Sequence, residues 1–178
     1  MSPLVRLTAL QTLNLGTRVS DLSPLARLTA LQTLDMRRTR ISDLSPLSGL
    51  ITLKTLDLMN AWVSDLSPLA RLIALQNLNL KATRVKDILP LSGLIALRTL
   101  DLTGTRVSNV SPLAGLIGLQ ILTLTGTWVT DVSPLAGLIG LKTLDLKDTR
   151  VSDVRPLTKL RNLKLLNYPF ITYRTSRA

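Results

Sequence analysis

Seven positions set 22 residues apart carry the most chemically pointed pattern in the sequence: Arg18, Arg40, Trp62, Arg84, Arg106, Trp128 and Arg150. Five guanidiniums and both tryptophans of the chain share one recurring position. If the fold lines these positions up, neighbouring charges ~5 Å apart in water repel by roughly 1 kcal/mol. Each indole then lies between two guanidiniums, a stack worth about 0.5–1 kcal/mol at an exposed site. Trp and Arg are also the residue types enriched where binding energy concentrates. Such a row suits an acidic partner. The structural alternative is that the arginine stems cover an apolar core while their heads pair with Asp21, Asp43, Asp65, Asp87, Asp131 or Asp153.

A second series runs Asn14, Asp35, Asp57, Asn79, Asp101, Thr123, Asp145 and Asn167, beside Thr12, Thr33, Thr55, Asn77, Thr99, Ile121, Thr143 and Leu165. Neighbouring carboxylates such as Asp35 and Asp57 are the raw material of acid–base chemistry or calcium binding. Catalysis needs an enclosed site, however, and an open polar ladder with Lys54, Arg98 and Lys142 nearby excludes no water. The expectation is therefore a binding surface and not an enzyme, with Asp35, Asp57, Asn79, Asp101 and Asp145 joining the Arg/Trp series as partner-contacting residues and with no metal or cofactor. A third series, Ile51, Ile73, Ile95, Ile117 and Ile139, either stands outside as an apolar stripe able to drive self-association or closes the gaps between units.

These series exist because the chain repeats itself. Copies of L-x-x-L-x-L begin at Leu31, Leu53, Leu75, Leu97, Leu119 and Leu141, and Pro24, Pro46, Pro68, Pro90, Pro112, Pro134 and Pro156 keep the same 22-residue step. The first copy, from Leu10, is one residue short, with Gly16 where Arg37-Arg38 stand in the next. A period of this length signals a solenoid. Within one copy, Leu100 and Leu102 alternate as a strand does. Val107 and Val110 turn the chain inward. Leu113, Leu116 and Leu119, three apart, share one face of a 3₁₀ turn or short helix. Ser111-Pro112 opens that return, Ser as a favoured N-cap and Pro at the first position, where its missing N–H costs nothing. One coil cannot bury its own leucines, but stacked coils bury them against each other and pair their strands in parallel. Repeat positions then fall about 4.8 Å apart, in columns.

Repeated seven times over about 2–168, the L-x-x-L-x-L strand followed by D-[LV]-S-P-L resembles the leucine-rich repeat, and its 22-residue length resembles the bacterial internalin or SDS22-like class. The resemblance implies an α/β right-handed solenoid with a concave parallel sheet of about eight strands and short returns on the convex side. It also implies a bacterial source and a protein-binding role. The usual Asn after L-x-L-x-x, whose amide bonds adjacent coils in that class, is replaced by Thr17, Thr39, Ala61, Thr83, Thr105, Thr127 and Thr149. A hydroxyl can satisfy fewer backbone groups than an amide.

The 178 residues suit one domain: a partial repeat at 1–9, seven repeats at 10–162, and a degenerate repeat with a cap or tail at 163–178. There is no Cys and no His, which excludes disulfides, thiolate or imidazole zinc sites and Ser-His or Cys-His catalysis. The net charge of +11 suggests acidic partners, with nucleic acid a rival to protein; it also simply keeps an apolar solenoid soluble. Met1-Ser2-Pro3-Leu4 enters the repeat without a leader pattern, so a cytoplasmic location is expected, with an effector secreted into host cells left open. At the front, a helix over 2–10, a longer chain or a second protein would have to shield the first leucines. At the back, Tyr168, Pro169, Phe170, Ile171 and Tyr173 read as a makeshift cap.

Overall fold

The computed structural model describes residues 7–17 and 19–168. Eight strands of three residues form one parallel sheet in chain order: β1 (Thr12–Asn14), β2 (Thr33–Asp35), β3 (Thr55–Asp57), β4 (Asn77–Asn79), β5 (Thr99–Asp101), β6 (Ile121–Thr123), β7 (Thr143–Asp145) and β8 (Lys164–Leu166). The pairing joins Asn14, Asp35, Asp57, Asn79, Asp101, Thr123 and Asp145 in one row and Thr12, Thr33, Thr55, Asn77, Thr99, Ile121 and Thr143 in the other. Between these rows the central leucines face inward: Leu34, Leu56, Leu78, Leu100, Leu122 and Leu144 are all buried, as the period-two alternation requires.

The last strand departs from the 22-residue step. Lys164 pairs with Thr143, Leu165 with Leu144 and Leu166 with Asp145, so the outward row ends in Leu166 and not Asn167, and the row beside it in Lys164 and not Leu165. Leu157 and Leu160 stay buried at their regular positions, so the missing residue falls between Leu163 and β8. The Leu165-Leu166 pair makes either frame apolar enough to be plausible from sequence.

Every return between described strands is a single 3₁₀ turn: Ser23–Arg27, Ser45–Leu47, Ser67–Leu69, Leu89–Leu91, Ser111–Leu113, Ser133–Gly137 and Arg155–Leu157. Leu113, Leu116 and Leu119 are fully buried, as the three-residue spacing demands. The serine, however, is not the cap. It is the first residue of the turn, and the capping acceptor lies two residues earlier. Asp21, Asp43, Asp65, Asp131 and Asp153 each take the backbone N–H of the residue two positions on, at 2.8–2.9 Å, and Asp87 and Asn109 do the same for Leu89 and Ser111. A short polar side chain bonding its own backbone two residues ahead is the Asx turn, available to both Asp and Asn.

The corner after each strand is sharp. Arg38, Asn60, Ala82 and Asp148 take φ of 54–59° where the matching position in two coils is Gly104 and Gly126. Their N–H groups still serve the stack, for example Ala82 to the Thr103 carbonyl at 2.7 Å and Gly104 to that of Thr125 at 2.8 Å. Thr39, Thr83, Thr105 and Thr127 are buried beneath this corner, and Thr149 is half-buried there. Thr39, Thr83, Thr105, Thr127 and Thr149 each donate their hydroxyl to the carbonyl three residues back, at 2.7–2.8 Å. The bond stays within one coil, which is how a single hydroxyl donor does less than the family's amide. Coils are tied together by main chain and by packed leucine, with no buried polar side-chain atom left unpaired among the described residues.

The front end is the less shielded, with Leu7 exposed and Leu13 only half-buried, while Leu144 is fully buried. Residues 7–10 form a turn, and the rest of the expected 2–10 helix lies outside the described residues. At the back, the Tyr168 hydroxyl donates to the Ser152 carbonyl at 2.8 Å, folding the ring over the last coil. Pro169, Phe170, Ile171 and Tyr173 lie outside the described residues.

Candidate functional site

The Arg/Trp column is positioned by main chain. Trp62 N–H donates to the Ile41 carbonyl (3.1 Å), Arg84 to Val63 (2.9 Å), Arg106 to Val85 (3.0 Å), Trp128 to Val107 (2.9 Å) and Arg150 to Val129 (3.1 Å). The next residue in each coil, Val63, Val85, Val107, Val129 or Val151, is buried. The column residue is thereby turned outward, and all six of Arg40, Trp62, Arg84, Arg106, Trp128 and Arg150 are exposed. Arg18, the first expected member, lies outside the described residues.

Two of the arginines stack on one indole. The guanidinium carbon of Arg84 lies 4.9 Å from the Trp62 ring centre and that of Arg40 lies 5.7 Å from it. The three side chains form one exposed cation–aromatic–cation stack. Among the described residues no cation is placed over Trp128, although Arg106 and Arg150 flank it in the column. Among the described residues the column does not pair with the pre-turn aspartates. Among the described residues no carboxylate is within ion-pair distance of Arg40, Arg84, Arg106 or Arg150. The aspartates are occupied as turn caps, and the Ser23, Ser45 and Ser67 hydroxyl and N–H groups hold Asp21, Asp43 and Asp65 below the usual carboxylate range. The column's guanidiniums are left open to solvent and to an external anion.

The row of strand ends is half-buried and locally engaged. Asp35, Asp57, Asn79, Asp101 and Asp145 each accept the N–H two residues on, at 2.8–3.0 Å, starting the corner that leads to the Arg/Trp column. Asp35 and Asp57 do stand side by side, yet they do not confront each other as an acid–base pair. Arg37 grips Asp35 with Nε and Nη2 at 2.7–3.0 Å and reaches Asp57 at 3.7 Å. The guanidinium holds the Asp35 carboxyl below its ordinary value. Nothing in the sequence singled out Arg37, apart from its standing in the two-residue corner that the first copy shortens to Gly16. On this face the space between rows is an open depression of about 270 Å³ lined by Thr55, Asp57, Asn77, Asn79, Thr99 and Asp101, too shallow to exclude water.

The isoleucine series stands outside. Ile51, Ile73, Ile95, Ile117 and Ile139 are 55–77% exposed, on the edge between the 3₁₀ turn and the next strand. Gap closure falls instead to the following residue. The Thr52 hydroxyl bonds the Thr29 and Leu31 carbonyls of the preceding coil at 2.6 and 2.9 Å. At the matching Gly140, a Cβ would lie 2.5 Å from the Ile117 carbonyl oxygen.

Comparisons with known proteins agree with the solenoid fold. A family model described as leucine-rich repeats in two copies matches residues 8–49 and 29–71. No curated protein matches the chain significantly. Among solved structures, internalin C2 of Listeria monocytogenes is 33% identical with a TM-score of 0.78, over 86% of this chain and 80% of that one. Internalin F of the same organism is 31% identical with a TM-score of 0.73, over 90% of this chain and 54% of its own. A Leptospira interrogans leucine-rich-repeat protein shares the fold at 22% identity, with a TM-score of 0.82, and this chain spans 44% of its length.

Proposed function

The chain belongs to the leucine-rich-repeat family, in its bacterial internalin-like class, and from that premise we propose that it is a non-enzymatic scaffold that binds an acidic protein segment along its Arg/Trp edge. Proteins of this fold commonly bind other proteins, and the reading for this chain rests on one observation, the exposed Arg40–Trp62–Arg84 stack whose cations have no carboxylate partner among the described residues. An extended segment lying along the column sets carboxylates against guanidiniums and apolar side chains against the open Trp128 face. The polar sheet face beside it, from Asp35 to Asp145, lines the same route. Exposed ion pairs alone give little affinity, so the indoles carry the anchoring contacts.

A selection from a library of short acidic peptides tests this. Trp62→Ala and Trp128→Ala should each weaken the selected peptides by more than about 1 kcal/mol, with circular dichroism unchanged. Wild-type affinity in both variants would move the site elsewhere.

Nucleic-acid binding is the second reading, favoured by indoles interleaved with unpaired guanidiniums. The nearby Asp row repels phosphate. Counterion release gives a steep fall in affinity with salt, so a salt titration of binding to single-stranded DNA separates the two readings.

A further inference from the structure

The acidic residues of this protein are confined to one half of every coil. All eleven are aspartates, and each lies between a strand end and the following 3₁₀ turn. The other half of the coil, from the turn through the isoleucine to the start of the next strand, contains no acid in any repeat (23–32, 45–54, 67–76, 89–98, 111–120, 133–142 and 155–164). It does contain cations, and Lys54, Arg71, Arg98, Lys142, Lys159 and Arg161 are all exposed there. Among the described residues none of these six has a carboxylate within ion-pair distance.

The five isoleucines run through the middle of this acid-free edge. They occupy consecutive coils and so form a ridge about 20 Å long at the spacing of stacked strands. The ridge is bounded at its two ends by Thr29 and Arg161, which take the same repeat position. Its flanks are small: Gly49, Ala74, Ala96, Gly115 and Gly118 leave the isoleucines standing proud, up to 77% exposed at Ile139. Soluble monomers rarely expose a continuous apolar strip of this kind without using it.

We propose that this edge docks the protein on an anionic lipid surface, the isoleucines entering the headgroup–acyl boundary and the flanking lysines and arginines meeting lipid phosphates. An apolar line bordered by long cationic side chains is what an interfacial element presents to a membrane. A second copy of the chain fits less well, because any pairing of two such edges sets cationic flanks against cationic flanks. An acidic protein fits the charge, but a ridge of identical side chains offers it no recess to read, whereas a fluid bilayer needs none. Since the Arg/Trp column lies on the opposite side of the coil, beyond the strand on one path and the 3₁₀ turn on the other, lipid docking leaves it free.

The experiment uses vesicles of phosphatidylcholine with and without phosphatidylglycerol, some carrying brominated acyl chains, which quench tryptophan only on contact. The full chain should sediment with the anionic vesicles and not the neutral ones. In a Trp62→Phe/Trp128→Phe background, Ile95→Trp should be quenched by the brominated lipid and shift its emission to the blue. In the wild type, Trp62 and Trp128 should be unaffected. The triple change Ile73→Ser/Ile95→Ser/Ile117→Ser should lower vesicle affinity at least about tenfold while keeping all the charge. The proposal is overturned by failure to sediment, by binding that the triple variant retains, or by quenching of Trp62 and Trp128 with Ile95→Trp untouched. It is equally overturned if Ile95→Trp shifts only with soluble poly-glutamate, which points to an acidic protein. A mass that rises with concentration and falls back in the triple variant, without vesicle binding, points to self-association. None of these outcomes bears on peptide binding at Trp62 and Trp128, which is measured without lipid.

Discussion

The Arg84 guanidinium lies over the Trp62 indole at 4.9 Å, with Arg40 on the same ring at 5.7 Å, while Trp128 occupies the matching place four residues before Val132 with no cation of the described residues placed over it. Two tryptophans at one repeat position therefore have different surroundings. The difference comes from the side-chain paths of their neighbours and not from the backbone, which is laddered in the same way at both.

That asymmetry is measurable. With each tryptophan isolated by changing the other to Phe, acrylamide should quench Trp128 more strongly than Trp62. Arg84→Ala should raise the quenching of Trp62 toward the Trp128 level and leave Trp128 unchanged. Equal quenching of the two in the unmodified background would show that the stack does not persist in solution.

How much of this was legible beforehand follows from which features repeat. The solenoid, the strand positions and the outward columns were readable because each is fixed by period-two or period-three burial of leucine, restated in every coil. The features missed are those that occur once or that depend on side-chain reach. From sequence the regular 22-residue frame extends to β8 because Leu165 and Leu166 are both apolar, and only the pairing of Lys164 with Thr143 selects the shorter step. Ser-Pro is a familiar helix start and so points to the serine as the cap. In turns of three and of five residues alike the serine is already the first residue of the 3₁₀ turn, and the aspartate two residues earlier supplies the acceptor. Sequence alone does not decide whether the isoleucines are stripe or gap-filler, since a spacing rule gives the direction of a side chain but not the closeness of the next coil. Gly118 and Gly140 were the available signal. They replace Thr or Ala where coils approach most closely, so the coil contact passes through that position and not through the isoleucine before it.

Gly140 gives a direct check on coil spacing. A Cβ there would meet the Ile117 carbonyl oxygen at 2.5 Å, backbone against side chain, with no flexible neighbour to yield. Gly137, three residues earlier, has open space around it. Gly140→Ala should destabilise by about 1–3 kcal/mol, the usual cost of forcing a packed region apart. Gly137→Ala should leave the thermal midpoint nearly unchanged or raise it slightly. Equal midpoints for the two variants would mean that the coils have room to separate.

The Thr column predicts a gain as well as a loss. Thr105 donates its buried hydroxyl to the Leu102 carbonyl at 2.7 Å, but that carbonyl also accepts the Thr105 N–H at 3.1 Å. Removing the hydroxyl leaves no buried group unpaired, so Thr105→Val should cost only about 0.5–1.5 kcal/mol. Coil three has Ala61 at this position, buried, with its N–H bonded to the Leu58 carbonyl at 2.9 Å. Ala61→Thr should restore the missing hydroxyl bond and raise stability by a similar amount in urea unfolding. A loss of stability would show that the third coil is narrower than its neighbours.

Acid should unfold the stack through its turn caps. The Arg155 side chain and backbone N–H draw the Asp153 carboxyl down to about 2, and serine contacts lower Asp21, Asp43, Asp65 and Asp131 from their ordinary 3.8. A carboxyl that titrates lower when folded contributes stability that is present above its unfolded value and lost as the pH falls through its folded one. The thermal midpoint should therefore hold steady above about pH 5 and decline between about 4 and 2. Asn109 shows how to isolate the effect. Its amide oxygen caps the Ser111 N–H at 2.9 Å, at the same position as the aspartates and without a titrating proton. The combined variant Asp21→Asn/Asp43→Asn/Asp65→Asn/Asp131→Asn should keep its caps at neutral pH and lose much of the acid decline. An unchanged slope from pH 4 to 2 would assign the decline to the lowered carboxyls left in place, Asp153 beside Arg155 and Asp35 held by Arg37.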